Sequence, residues 1–209
     1  MVTSPLRHLV SGARGPAGLR RSVDLGATAG ILGELGGLLS AVNGFSACNA
    51  GIQVFRAGTP GLGPELSQWN HPEMWKNTYG GIADGLFCFG QDLFGVQFAV
   101  QDRTTVVAFD SETGRITPLG TTLEAWAAWL LDDVDVHGCR AYATAWQDQC
   151  GPLGHSQRLV PWRLFALGGT YDFDNVTAKD AARCMRIRGP LARQIHELPQ
   201  GTTITLASG

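Results

Sequence analysis

Residues 86–118 read LFCFGQDLFGVQFAVQDRTTVVAFDSETGRITP, and this stretch decides the fold class. Four short β-prone runs, Leu86–Phe89, Val96–Val100, Val106–Phe109 and Arg115–Pro118, are separated by turn-forming residues. Phe98 and Val100 alternate with Gln97 and Ala99, the period-two pattern that puts successive side chains on opposite faces of a sheet. Asp110-Ser-Glu-Thr-Gly114 has the composition of a hairpin loop, with glycine near its end. The expectation is an antiparallel meander with one face buried.

Helical patterns flank the meander on both sides. Upstream, Ile31, Leu32, Leu35, Leu38, Leu39 and Val42 fall on one face of a helix that Asn43-Gly44 should end. Gly33, Gly36 and Gly37 each cost such a helix about 1 kcal/mol relative to alanine, so it must lean on tertiary packing. Residues 52–55 read as a short strand, 57–64 as a loop, and 65–79 as short helical turns around Pro72. Downstream, Thr121-x-x-Glu124 reads as a capping box opening a helix whose core stripe is Leu123, Trp126, Ala127, Leu130, Leu131 and Val134. A second helix is expected over 139–150, with Tyr142, Ala145 and Trp146 inward. Val160–Leu167 reads as a strand, Pro190 as the first position of a short helix, and Thr202–Leu206 as a closing strand. Strands gathered in one meander with helices around them give an α+β class.

Composition sets the outer bounds. With 209 residues, 44% hydrophobic and 16% charged, the chain is long enough to bury one core without disulfide or metal support. Residues 1–24, basic and rich in Ser, Gly and Pro, read as a flexible tail; residues 25–209 read as a single domain. The net charge of −2 conceals an uneven distribution, because residues 25–157 carry five basic against thirteen acidic side chains. Five scattered cysteines without a CxxC pair point to the reducing cytoplasm. No run of 18 apolar residues predicts a membrane span. Arg20-Arg21 ahead of an apolar stretch faintly mimics an export signal, but Glu34 and the Asn43-Gly44 turn interrupt it.

Motifs that carry chemistry are scarce. The chain holds no Walker A loop, GxSxG, HExxH or GxGxxG. His137-x-Cys139 with Cys150-x4-His155 offers four zinc-type ligands but not the short CxxC hook that marks such sites. Cys150 or Cys88 paired with His155 or His137 lacks any sign of a positioned base, and Cys88 sits in an apolar run where burial blunts a thiol. No cofactor or metal site is expected, nor a catalytic residue. Arg183, Arg186, Arg188 and Arg193 lie among too few aromatics and too many acids for nucleic acid, and pairing with the acidic middle is the simpler reading.

The most informative cluster is acidic. Asp132 and Asp133, with Asp135 beyond them, crowd the C-terminal end of a helix, where carboxylates oppose the macrodipole. At about 100° per residue, Trp129 projects away from the core stripe between these acids. An aromatic beside charges has hot-spot composition, although packing under a neighbouring loop would place Trp129 equally well. Asp84 and Asp92 would extend the same acidic surface.

Several stretches resemble the SUKH superfamily (the Smi/Knr homology group). They are Asn43-Gly44-Phe45 with Gly51-Ile-Gln-Val-Phe-Arg56, Trp69-Asn70 with Pro72-Glu-x-Trp75, and above all Gly85-Leu-Phe-x-Phe89 with Asp92-x-Phe94-Gly95-x-Gln97-Phe98. Phe109-Asp-x-Glu-Thr-Gly114, Leu123-Glu124-x-Trp126, Arg158-Leu-Val-Pro161 and Arg188-x-x-Leu191 continue in the same order. The resemblance spans roughly residues 38–207 and implies an α+β fold and a bacterial immunity protein that binds and neutralises a toxin, often a nuclease. It supplies no catalytic residues. The Gly-rich helix and residues 1–24 depart from the pattern. The functional expectation is therefore a non-enzymatic binder of a basic toxin surface, using Trp129, Asp132, Asp133, Asp135, Asp84 and Asp92. A regulatory scaffold with an endogenous protein partner is the alternative.

Overall fold

The computed structural model describes residues 4–198. Six helices and eight strands follow in the order α1 (Pro5–Ser11), α2 (Gly30–Ala41), β1 (Phe45–Ala47), β2 (Ile52–Val54), α3 (Leu66–Trp69), β3 (Leu86–Asp92), β4 (Gln97–Gln101), β5 (Thr105–Phe109), β6 (Ile116–Gly120), α4 (Leu123–Asp132), α5 (Arg140–Cys150), β7 (Gln157–Pro161), β8 (Val176–Asp180) and α6 (Ala181–Ile195). Strands β1 to β6 form one antiparallel sheet in sequential order, and β7 pairs β8 in a second, two-stranded sheet. The fold is α+β, and the meander lies where the sequence places it.

The meander differs from expectation in one respect: both faces of its central strands are buried. Gln97, Phe98, Ala99 and Val100 are all inaccessible. Phe98 and Phe89 meet Trp126 of α4 edge-on, at centroid distances of 5.5 and 5.2 Å. On the other side the Gln97 amide reaches Trp69 of α3 and Met185 of α6, while Phe109 packs on Trp75 and Tyr79. The sheet is thus sandwiched between helices, and its polar positions must find partners inside. They do so through a chain of side-chain amides. Gln53, Gln91 and Gln97 are direct cross-strand neighbours. Trp69 Nε1 donates to Gln97 Oε1 (2.7 Å), Gln97 Nε2 to Gln91 Oε1 (3.4 Å), Gln91 Nε2 to Gln53 Oε1 (2.9 Å), and Gln53 Nε2 to the His155 carbonyl (2.8 Å).

Residues 4–24 are not a flexible tail. Leu9 is buried in the main core, and the backbone at Arg14 and Gly18 forms β-bridges to Ser46 and Gly61. The carboxylate of Glu124 accepts from the Leu6 amide (3.0 Å), satisfying one free donor of the first turn of α1. Glu124 therefore does not close a capping box. Thr122, one residue later than read, caps α4 by accepting from Ala125 N, and Glu34 of α2 accepts from Leu123 N. The glycines of α2 have a packing reason: a Cβ on Gly36 would stand 2.9 Å from the Val23 carbonyl oxygen, and one on Gly33 2.7 Å from the Thr28 carbonyl carbon. Residues 23–28 cross the helix at those points, and Val23 N donates to Ser40 of the same helix.

Three further expectations change. The strand read over Val160–Leu167 ends at Pro161 and gives way to a 3₁₀ turn, Phe165–Leu167. Pro190 does not begin a helix but lies inside α6, whose start is set by Asp180 accepting from Arg183 N (2.9 Å). The buried stripe of α6 from Ala181 to Ile195 outweighs the single backbone bond that proline cannot donate. In α5, Ala143 rather than Ala145 faces inward with Trp146. The strand expected at Thr202–Leu206 lies outside the described residues. A second small core, Leu93, Cys139, Ala143, Trp146, Leu159 and Val176, sits between α5 and the β7–β8 pair.

Candidate functional site: an acidic cleft walled by aromatics

A cleft of about 460 Å³ opens where the β3–β4 turn, the β5–β6 turn, the α4–α5 connection and residues 165–171 converge. Asp92, Asp110, Glu112 and Asp135 line it, and no basic side chain does. Its walls are aromatic. Phe165 and Tyr171 stack at 4.1 Å and 17°, and Phe94 meets Tyr142, Phe165 and Tyr171 edge-on at 5.1–5.5 Å. Tyr142 donates its hydroxyl to the Tyr171 carbonyl (2.8 Å), tying α5 to this wall. Tyr171 and Val136, both on the rim, are 59% and 66% exposed.

Each turn holds its carboxylate by backbone chemistry. Asp92 Oδ1 accepts from Phe94 N (2.9 Å) and Val96 N (2.8 Å), leaving Oδ2 with only the distant Cys139 thiol (3.9 Å). Asp110 Oδ1 likewise accepts from Glu112 N and Thr113 N, which fixes the hairpin loop. Glu112 Oε2 accepts from Ala166 N (2.8 Å), while its buried Oε1 has no hydrogen-bond partner. Burial raises both Asp92 and Glu112, against those backbone donors; Asp92 is pushed up to about 6.

Behind the cleft lie two buried cations. Arg188 is fully buried, donates to the Leu159 carbonyl (3.0 Å), and stands 3.6 Å from Glu112 Oε1. Arg158 is equally enclosed and donates to the Gln157 carbonyl (2.6 Å); burial lowers its guanidinium to about 10, with Asp92 opposing the shift. The pairing expected between the C-terminal arginines and the acidic middle is thus realised at Arg188. Arg183, Arg186 and Arg193 are exposed, and Arg186 donates to the Met74 carbonyl.

The acidic residues read from the sequence separate into two groups. Asp92 and Asp135 share the cleft, whereas Asp84, Asp132, Asp133 and Trp129 do not line it. Trp129 is half-buried: His137 stacks on its ring at 4.1 Å and donates from Nδ1 to the Trp129 carbonyl (2.7 Å). It belongs to the packing between α4 and the following turn, against Phe98. Asp133 accepts from Asp135 N and Val136 N, so its charge is used by the turn after the helix. Asp132 and Asp84 are exposed. Asp135 accepts from Arg140 Nε (3.0 Å) and Nη2 (3.1 Å), which lowers its carboxyl.

Sequence reasoning passed over Asp110, Glu112, Phe94, Tyr142, Phe165 and Tyr171. The first two were visible as the acidic hairpin loop, but the aromatic wall is assembled from three separated segments. Among the described residues no three His, Cys, Asp or Glu side chains gather as a metal site. Burial raises the thiols of Cys48, Cys88, Cys139 and Cys184, Cys88 to about 12.

No family model and no curated protein matches the chain. Among solved structures it is similar to the crystal structure of Atu4351 from Agrobacterium tumefaciens, at 16% identity over 74% of this chain and 73% of that chain, with a TM-score of 0.48.

Proposed function

We propose that the chain is a non-enzymatic, SUKH-like immunity protein of the cytoplasm that neutralises a toxin by occluding a basic surface. The observation that carries this reading is the cleft, where four carboxylates meet an aromatic wall: Asp135 and Glu112 are paired with Arg140 and Arg188, while Asp92 and Asp110 have no ion-pair partner among the described residues. Exposed aromatic area beside charge is the composition of interface anchors. Fixed negative potential of this kind accelerates encounter with a basic partner and selects against acidic ones. Nuclease clefts are basic because they hold phosphates, which makes them natural targets for an acidic plug. No helix among the described residues is long and apolar enough to cross a membrane.

The test begins with the tagged full chain as bait in its native cells. A tightly held basic protein, toxic when expressed alone and harmless when this chain is co-expressed, is the expected result. Capture of a partner that is neither basic nor toxic rejects the reading. With the partner in hand, the association rate should fall between about 50 and 500 mM salt, as screening removes the attraction. A double variant, Asp110→Asn with Asp135→Lys, should associate more slowly and lose most of that salt dependence. A rate indifferent to salt in the parent protein rejects electrostatic capture.

A further inference from the structure

We infer that the cleft is a socket for one arginine side chain of the partner; this rests on the proposed function and gives it a point of contact. Its size suits a single long side chain rather than a whole segment of chain. The volume of about 460 Å³ lies at the small end of ligand-sized pockets. The stacked Phe165–Tyr171 pair and Phe94, edge-on to both, line the cavity. A planar guanidinium stacks on aromatic faces and gains from their negative quadrupole.

Beside the rings, two carboxylates each keep one oxygen that the fold does not satisfy with a strong donor. Asp92 Oδ1 and Asp110 Oδ1 take the backbone amides of their turns, leaving the second oxygens free of them. Glu112 adds a third lining carboxylate, but its buried Oε1 is paired with Arg188 Nε at 3.6 Å, so it lends charge and not a free acceptor. Free carboxylate oxygens in an aromatic cavity call for a donor that is flat, charged and able to serve several oxygens at once. Guanidinium has five N–H donors in such a fork, whereas an ammonium is a point charge that must shed a tighter hydration shell.

The experiment uses the full chain and three small probes: N-acetyl-arginine amide, N-acetyl-lysine amide and N-acetyl-citrulline amide, the last neutral but the same shape as arginine. Binding is followed by NMR of the aromatic ring protons. Arginine amide should shift ring resonances saturably, with a dissociation constant on the order of 1 mM. Lysine amide should bind more weakly, and citrulline amide should not saturate. Tyr171→Ala, on an exposed rim position, and Asp110→Asn, which keeps the oxygen its turn needs, should each weaken arginine amide about tenfold. Asp84→Asn, outside the cleft, should leave it unchanged. Equal binding of citrulline and arginine amides, or no saturable shift with arginine amide, overturns the socket. A captured partner that binds Tyr171→Ala and Asp110→Asn as tightly as the parent also overturns it, and leaves the immunity reading standing. If arginine amide binds as described but no toxic partner exists, the immunity reading fails while the socket remains.

Discussion

Asp92 shows how one residue can serve the fold and burden it together. Its Oδ1 closes the β3–β4 turn, so the side chain cannot leave, and burial raises its carboxyl to about 6. The folded chain therefore holds this proton more tightly than the unfolded chain does, and the linked stability is fully present below the ordinary carboxylate value. It is lost as pH rises through about 6. Arg158 and Arg188 offset part of the burial, and Cys139 faces the free oxygen. Above pH 6 the ionised group costs the fold up to about 3 kcal/mol. Asp92→Asn keeps an oxygen for both amides. Denaturant unfolding should find it more stable than the parent at pH 7.5 and nearly equal at pH 4; a variant less stable at both values contradicts this account. From sequence, Asp92 reads as a surface acid because nothing in its neighbourhood announces that α5 and residues 165–171 close over it. Trp129 misleads in the opposite way. The angular count about α4 places it away from the sheet, but the turn after the helix folds back and lays His137 on its ring.

Among the elements, α2 illustrates how much local sequence foretells and where it stops. Its apolar stripe and its end near Asn43 are plain from periodicity, and Ile31, Leu32, Leu35, Leu38 and Leu39 are buried as that stripe requires. The glycines look like defects until residues 23–28 are seen to cross them. Gly36 and Gly37 are neighbours with opposite surroundings: a Cβ on the first meets the Val23 carbonyl oxygen at 2.9 Å, and one on the second meets nothing within 4 Å. Alanine gains about 1 kcal/mol of helix propensity at either position. At Gly36 overpacking of about 1–3 kcal/mol should exceed that gain. Thermal unfolding should thus rank Gly37→Ala above the parent and Gly36→Ala below it, and the reverse order would mean that residues 23–28 do not lie where they do here. The same crossing explains the misreading of the N-terminus. Ser-, Gly- and Pro-rich composition describes a chain without regular structure, but it does not reveal Leu9 entering the core or Glu124 accepting from Leu6. Glu124 lies 118 residues from Leu6 along the chain.

On the scale of the whole molecule, the meander was legible because turn chemistry and β-branched runs are local signals. Its two-sided burial was not, because alternating Gln and apolar residues look the same whether the polar face meets water or a second layer of helices. The amide chain from Trp69 to His155 is the solution to that burial, and it also connects the main sheet to the segment entering β7. Gln91→Leu fits the volume roughly but strands the Gln53 carbonyl, at a cost of about 1–3 kcal/mol for the buried acceptor. Unfolding midpoints should fall accordingly, while a neutral substitution would mean that Gln53 finds another donor. The cleft depends on this connection, since its walls belong partly to the sheet and partly to the smaller core around α5 and the β7–β8 pair.

That chain of amides also governs errors of folding. Short strands rich in Val, Ala and Phe can slide past one another at little cost in apolar contact, so hydrophobicity alone discriminates weakly between neighbouring alignments. Gln53, Gln91 and Gln97 sit opposite one another in only one of them. A slip of the middle strand by a single residue would point the Gln91 amide to the other face and leave the Gln53 carbonyl enclosed without its donor. A handful of glutamines in an oily sheet thus acts as a vernier, penalising misaligned intermediates more than it strengthens the final state. The antiparallel hairpins that shape the floor of the cleft are set by that alignment.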